Sequence, residues 1–393
     1  MPPTNNLWHI QHREKHHQTT DKTKSYIMPP ETSPHLATLL SFPSRVSTLP
    51  DLHTKTANEI ISLATTIANF EPVRLHTRPE DLAQAKTLLS QHDNTLSSSQ
   101  RANIAFIPAP TNHCWIRDTG PVYVRSTDST DKTRYAIDFG FCEWGNKNIE
   151  DIYGDHIPPQ PADWPAIDAA FRMENTAFAG KVLELENEGA EASNAVVRVE
   201  TDLRLEGGGI EVDGEGTFMA TESSILGQAR NPGMDKKTVE EELARVLGVR
   251  KFVWFPGRVG LDITDTHVDA EARFIRPGVV VVSRPRKRDG VHWEIYREIR
   301  GRFEVYDVVE PDLELVRGKL VGEELAPAAS YVNFYFVNGG LVIPAFGDGE
   351  ADREALELFR MLVPGREVRQ VEVNALPRTG GCCIVLRSRW YDC

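Results

Sequence analysis

The pattern that most narrows the folds open to this 393-residue chain is one order of events met five times. Each time, a segment with apolar residues at helical spacing is followed by a short β-branched or aromatic run. In 57–70, Ile60, Leu63, Ile67 and Phe70 recur at that spacing, and the strand Pro72-Val-Arg-Leu follows. In 235–247, Val239, Leu243, Val246 and Leu247 share one face, Asp235 is placed to cap the start, and Gly248 to end the helix. The strand Lys251-Phe-Val-Trp-Phe comes next. The segment 291–300 leads to a strand at 303–309, and 350–362 leads to one at 368–373. The segment 164–185, before a strand at 196–199, fits less well, and 176–195 reads as an inserted acidic loop. Apolar strand pairs with glycine-rich turns separate the steps, as in 209–212, 274–282 and 341–344. Identity between the steps is too low for a sequence repeat. Five similar units nevertheless favour a closed, pseudo-symmetric α/β arrangement over an open Rossmann sheet. No linker divides the chain, so one domain is expected over 28–393. Residues 1–27 are polar and His-rich without hydrophobic period and read as a disordered leader, with Met28 a candidate alternative start.

Composition excludes several classes. Forty-four basic against fifty-seven acidic residues leave a net charge of −13, which argues against nucleic acid as the main partner and suits a cationic one. No run approaches the roughly 18–20 apolar residues of a membrane span. The five cysteines, Cys114, Cys142, Cys382, Cys383 and Cys393, form neither a disulfide framework nor a CxxC zinc pattern. A cytoplasmic enzyme with one or two working thiols is the natural expectation.

Five stretches beside expected strand ends are dense in polar, aromatic and glycine residues. Cys114-Trp-Ile-Arg-Asp-Thr-Gly-Pro reads as strand, sharp turn, strand, with Asp118 either pointing into a central cavity or capping the turn and paired with Arg117. Leu205-Glu-Gly-Gly-Gly-Ile lacks the helix and the Gly-Lys-Ser/Thr of a phosphate loop, so its glycines allow close backbone approach to whatever Glu206 faces. The following Asp213-Gly-Glu-Gly reads as a hairpin turn. In Asp265-Thr-His-Val-Asp, His267 and Asp269 are two apart, on one face if the segment is a strand, and also at a metal-ligand spacing. Ala329-Ser-Tyr-Val-Asn-Phe-Tyr opens a hairpin turning at Asn338-Gly339 and carries Asn333, an amide that needs partners if buried. Arg378-Thr-Gly-Gly-Cys-Cys-Ile-Val places a thiol on a tight turn before a strand.

Each stretch has a bland structural reading, but together they supply one thiol, one His and several carboxylates. Carboxylates beside a thiol raise its pKa and handicap it against a neutral electrophile. A guanidinium removes that handicap, because it is planar, permanently charged and matched to carboxylates. The combination therefore points to hydrolysis or transfer at a guanidinium carbon.

The stretches, with Trp144-Gly145, Val-Asp-Gly-Glu-Gly-Thr (212–217), Arg-Asn-Pro (230–232), His-Val-Asp (267–269), Phe-Gly-Asp (346–348) and Gly-Gly-x-Cys (380–383), resemble the agmatine deiminase / Porphyromonas-type peptidylarginine deiminase family. The resemblance runs from Met28 to Leu386. It implies a five-bladed, pentein-like α/β propeller with its site on the pseudo-fivefold axis. It further implies Cys383 as nucleophile, with Cys382 the alternative, since Cys382 stands where the family usually carries His. His267 is then similar to the family's general acid/base and Asp118 and Asp269 to its guanidinium clamp. Glu206 would bind the His or the substrate, Trp115 would flank the guanidinium plane, and Trp144 and Asn333 are further substrate-binding candidates. Neither metal nor organic cofactor is required. The stretch Phe141-Cys142-Glu143-Trp144-Gly145 departs from the family's Phe-Asn-x-Trp-Gly.

Among substrates, agmatine is favoured, giving N-carbamoylputrescine and ammonia, because its second cation suits an acidic protein. Peptidyl-arginine is the next reading. Free arginine would need a cation for its carboxylate, and the cluster Arg284-Pro-Arg-Lys-Arg reads as a solvated loop. Two other classes stay open: a metal hydrolase using His267, Asp269 and His113 or Glu206, and an inactive guanidine-binding paralogue. A homodimer is left open.

Overall fold

The computed structural model describes residues 22–45, 48, 50–92, 96–148, 162–317 and 328–379, together with the backbone strand Arg387–Tyr391. Within them the strands form five separate sheets of three or four strands. Each sheet has the same plan, an antiparallel pair followed by a helix that crosses to a parallel strand. The first unit is Tyr26–Ile27, Val122–Ser126, Arg134–Ile137 and Val196–Val199, crossed by the helix Trp164–Asn187. The second is Glu211–Val212, Thr217–Thr221 and Lys251–Phe255, with the helix Lys236–Leu247. The third is Ala272–Arg276, Val279–Arg284 and Glu304–Val309, with Gly290–Arg300. The fourth is Tyr335–Val337, Gly340–Ala345 and Glu367–Glu372, with Gly349–Leu362. The fifth joins the ends of the chain: Arg387–Tyr391 pairs antiparallel with His35–Ser41, which runs parallel to Val73–Thr77 across the helix Pro50–Ile67. Ile104–Pro108 adds an outer parallel strand. The five expected helix-then-strand steps are therefore the five crossovers.

Local chemistry explains the punctuation. The side chain of Asp235 accepts from Thr238 N at 2.8 Å, and Gly248 ends that helix in the left-handed region at φ 72°. Val239, Leu243, Val246 and Leu247 are all buried, each stabilising the unit by roughly 1.5–3 kcal/mol. The two-residue turn Asn338-Gly339, with φ 77° at the glycine, closes the hairpin of the fourth unit.

Two expectations are corrected. The stretch 176–195 is not all an inserted loop, because the helix Trp164–Asn187 occupies 176–187 and leaves only 188–195 as connection. Asn175, Phe178, Ala179, Val182, Leu183 and Glu186 make a buried stripe, and the polar Asn175 and Glu186 within it break the apolar period in the sequence. The leader read over 1–27 ends earlier. Tyr26–Ile27 pairs with Val122–Ser126, and Tyr26 is fully buried; residues 1–21 lie outside the described residues.

The apolar clusters link neighbouring units in order. One joins units one and two through Val122, Phe218 and Val239. Another joins two and three through Met219, Val253 and Phe274. A large one runs from Val279 of unit three through Tyr335 of unit four to Leu40 of unit five. The last packs Leu39 of unit five against Tyr123 of unit one. Among the described residues, no helix is long and apolar enough to cross a membrane.

Candidate active site

The candidate residues are delivered by the segments that enter or leave these sheets. Trp115 precedes the single helical turn Ile116–Thr119, which carries Asp118 and leads into the strand Val122–Ser126. That turn replaces the incoming strand expected from the sequence. His267 likewise stands just before the turn Val268–Glu271 that carries Asp269, so the pair is not on a strand. Glu206 leads into the three-residue 3₁₀ turn Gly207–Gly209. Trp144 sits in Glu143–Asn146, and Asn333 in the loop before Tyr335–Val337.

These segments converge on Gly208. A Cβ there would lie 2.6 Å from His267 Nδ1, 2.8 Å from Asp118 Oδ1 and 3.0 Å from Asp269 Oδ2. Only glycine admits three polar heads so close to the main chain. Gly208 N donates to Asp118 Oδ1 at 2.9 Å, and Trp144 Nε1 donates to Asp118 Oδ2 at 3.0 Å. His267 Nδ1 stands 3.9 Å from Asp118 Oδ2, and its Nε2 is 3.2 Å from Glu206 Oε2. Asn333 Nδ2 donates to the backbone oxygen of Asp269 at 2.9 Å. Among the described residues, Asp269 Oδ2 and Asn333 Oδ1 accept no hydrogen bond although both are buried. Trp115 is buried in the apolar cluster beside Cys114, Phe141 and Trp144.

Arg230 is a site residue to which the sequence reading gave no role, although Arg-Asn-Pro is one of the quoted motifs. Its Nε donates to both oxygens of Glu206, at 3.0 and 2.8 Å. Its Nη1 donates to Asp265 Oδ2 at 3.0 Å and its Nη2 to the carbonyl of Thr264 at 3.0 Å. One guanidinium thus ties the carboxylate that holds His267 to the loop that delivers it. Arg117 decides between the two readings of Asp118. It pairs with Glu31 and Glu211 rather than capping with Asp118.

Backbone strain is concentrated in the same loops. Among the described residues, the non-glycine positions with positive φ are Glu143, Trp144, Asn146, Asp265 and Thr266. Each such residue costs about 1–3 kcal/mol, and strain of this kind persists where surrounding contacts impose it. Here Lys147 Nζ and Gly260 N, each 2.8 Å from Asp265 Oδ1, together with Arg230 and Ser223, hold Asp265. Thr221 Oγ1 donates to the carbonyl of Thr266 at 2.6 Å.

Burial and charge set the protonation states. Burial disfavours the His267 cation, but Asp118, Glu206 and Asp269 outweigh it and raise its pKa to about 9. Burial raises Asp269 to about 7, against the pull of Arg117 and His267. Asp118 is also raised, by burial above all, with His267, Trp144 and Gly208 opposing. At neutral pH this is a protonated imidazole among carboxylates that lack enough donors to hold all their charge.

Of the remaining candidates, His113 has Nε2 3.2 Å from Glu143 Oε2 and its ring 5.0 Å from that of Trp144. Arg286 of the basic cluster, half in solvent, bonds Asp348 at 2.9 Å. Cys382 and Cys383 lie outside the described residues. The two described thiols, Cys114 and Cys142, are buried and free, and burial pushes the pKa of each up.

A deiminase-type hydrolytic enzyme is the class that this fold and site define, and comparison with known proteins agrees. The model of the Porphyromonas-type peptidyl-arginine deiminases matches residues 27–384, and the chain belongs to that family. It is 29% identical over 388 residues to the agmatine deiminase of Medicago truncatula, covering 91% of this chain and 94% of that one. It is 30% identical over 380 residues to the agmatine deiminase of Stutzerimonas stutzeri, covering 89% and 93%. The solved agmatine deiminase of Enterococcus faecalis shares the fold at a TM-score of 0.75 and 23% identity, over 95% of this chain and 98% of that one.

Proposed function

We propose that the chain hydrolyses agmatine to N-carbamoylputrescine and ammonia through a covalent intermediate on Cys383. The observation that carries the reading is the convergence of Asp118, Asp269 and His267 within 3.0 Å of one point beside Gly208. A buried carboxylate pair of which one member, Asp269, keeps an oxygen without a donor calls for a ligand rich in N–H groups and positive charge, and a guanidinium is both. Agmatine is the favoured guanidine because the relatives over most of the chain carry that name and the protein is strongly acidic.

In this mechanism the Cys383 thiolate attacks the guanidinium carbon while Asp118 and Asp269 hold its nitrogens. His267, a cation at neutral pH, gives its proton to the departing nitrogen, which leaves as ammonia. The carbon remains bound to sulfur as an amidino-thioether. Neutral His267 then takes a proton from water, whose oxygen attacks the same carbon. Collapse breaks the carbon–sulfur bond, releases the ureido product and regenerates the thiol. Glu206, fixed by Arg230, orients the imidazole; Trp144 orients Asp118; Trp115 and Asn333 complete the pocket. The raised pKa of Cys114 and Cys142 supports assigning the nucleophile to the Gly-Gly-Cys-Cys turn.

The same reading takes one catalytic domain, extended from the expected 28–393 to include the strand Tyr26–Ile27, and the five sheets as blades of a closed propeller. The pairing of the two chain ends and the unit-to-unit clusters support closure. A cytoplasmic setting goes with the free thiols, and cell fractionation checks it. The deciding experiment measures ammonia and ureido product from agmatine, arginine and an arginyl peptide. Wild-type protein is expected to turn over agmatine best, and Cys383→Ala to lose at least about 10³-fold in kcat. Wild-type turnover by Cys383→Ala, or by that variant only until Cys382 is also changed, removes Cys383 from the mechanism.

A further inference from the structure

Asp269 has an internal guanidinium for a neighbour. Arg117 Nε stands 3.5 Å from Asp269 Oδ2, an ion-pair distance but not a hydrogen bond, and both side chains are more than nine-tenths buried. Arg117 thus carries the same chemical group that the site is read to bind. Its other nitrogens are engaged on the far side. Nη1 donates to Glu31 Oε1 at 2.9 Å, and Nη2 to Glu211 Oε1 at 3.0 Å and the carbonyl of Ile210 at 3.2 Å. Arg273 completes the network. Its Nε donates to Glu211 Oε1 at 2.6 Å, its Nη1 to the carbonyl of Phe334 at 2.6 Å, and its Nη2 pairs with Glu31 Oε2. Two guanidiniums and two carboxylates balance, all buried.

The segment carrying Glu31 is anchored independently of these charges. Met28 N donates to the carbonyl of Leu247 at 3.0 Å, and Pro30 packs so tightly on Gly214 that a Cβ there would lie 2.5 Å from its ring. Glu31 therefore pulls on Arg117 from a fixed position.

We propose that Glu31, with Glu211, holds the Arg117 guanidinium off Asp269 and so keeps that carboxylate open to substrate, which makes Glu31 a positioning residue for substrate affinity. The inference rests on the reading of Asp269 as a guanidinium clamp. Without the Glu31 charge, the pull on Arg117 from the far side falls to Glu211, and Asp269, already 3.5 Å from Nε, draws the guanidinium more strongly by comparison. Attraction between such groups is strong away from water, and a guanidinium and a carboxylate close in two parallel hydrogen bonds. Arg117 would then compete with substrate from within the chain. Competition of that kind raises KM, while molecules that do bind react at the usual rate.

The test uses the full chain with agmatine and measures kcat and KM separately for Glu31→Gln, Glu31→Gln/Arg117→Gln and Asp269→Asn. Glu31→Gln is expected to raise KM at least about tenfold and to keep kcat within about threefold. The double variant again balances charge, through Arg273 and Glu211, and is expected to return KM to within about threefold of wild type. An unchanged KM in Glu31→Gln beside a raised KM in Asp269→Asn overturns this inference alone. So does a double variant no better than Glu31→Gln, the outcome of a purely structural Glu31. An unchanged KM in Asp269→Asn overturns the clamp reading and this inference together.

Discussion

Glu71 and Asp269 are buried to nearly the same depth, at 1% and 2% exposure, yet their acidities move in opposite directions. Burial pushes both up. At Glu71 it is outweighed: His35 Nδ1 is 3.0 Å from Oε1, Thr38 Oγ1 donates to the same oxygen, Tyr335 Oη donates at 3.2 Å, and Asn338 N donates to Oε2 at 2.7 Å. Its pKa is held below the ordinary value. Asp269 has a distant guanidinium, an imidazolium and a competing carboxylate, and it titrates near 7. The number of donors, rather than depth, separates a carboxylate that joins units four and five from one left hungry for a ligand.

The contrast can be broken most directly by exchanging each acid for its amide. Asp269→Asn is expected to lower kcat/KM for agmatine by about 10³-fold while leaving stability equal or higher, because an under-donated buried charge is removed. Glu71→Gln is expected to do the reverse. It should cost about 3–5 kcal/mol in denaturant unfolding and leave kcat/KM of the folded fraction within a few-fold. Equal stability losses in the two variants would end the comparison. A smaller effect follows from Gly208→Ala. The methyl group must displace His267, Asp118 or Asp269, so kcat should fall about 10²-fold with about 1–3 kcal/mol of destabilisation. A wild-type kcat there would mean that the three heads do not act at that point.

The most gradual effect is that of pH. The proposed mechanism requires Asp269 ionised and His267 protonated. The kcat/KM profile should therefore be bell-shaped, falling as pH drops through about 7 and again as it rises through about 9. Stability has the opposite dependence at Asp269. Its folded pKa is raised, so the folded state binds that proton more tightly, and stability is gained as pH falls from about 7 towards the ordinary carboxylate range. Melting temperatures of wild type and Asp269→Asn across that window should differ in slope, and parallel curves would remove the assignment.

Much of this was legible in the residues. The stripe of 235–247 with its Asp235 and Gly248 ends and the Asn338-Gly339 turn depend on neighbours in sequence and appear as read, while the helix read over 57–70 spans Pro50–Ile67. His267, Asp118, Asp269 and Glu206 stood out only together, as one His and several carboxylates accompanying a thiol in motifs that resemble a known family. The helix through 176–187 was hidden because its buried stripe itself contains Asn175 and Glu186, polar residues that interrupt the apolar period. Arg230 and Glu31 were passed over because their partners lie 24 and 86 residues away. The available signal for Arg230 was its place in the Arg-Asn-Pro stretch (230–232), one of the motifs that carry the resemblance.

By itself, then, the sequence determined the five crossover units and the chemical types gathered at their ends, because helical period, turn chemistry and side-chain charge are local properties. Only the tertiary structure decided which acids keep enough donors and which are left short, why Gly208 admits no side chain, and which way Arg117 faces. Those outcomes depend on distances between units far apart in the chain, where a few tenths of an ångström and one missing donor separate a structural carboxylate from a reactive one.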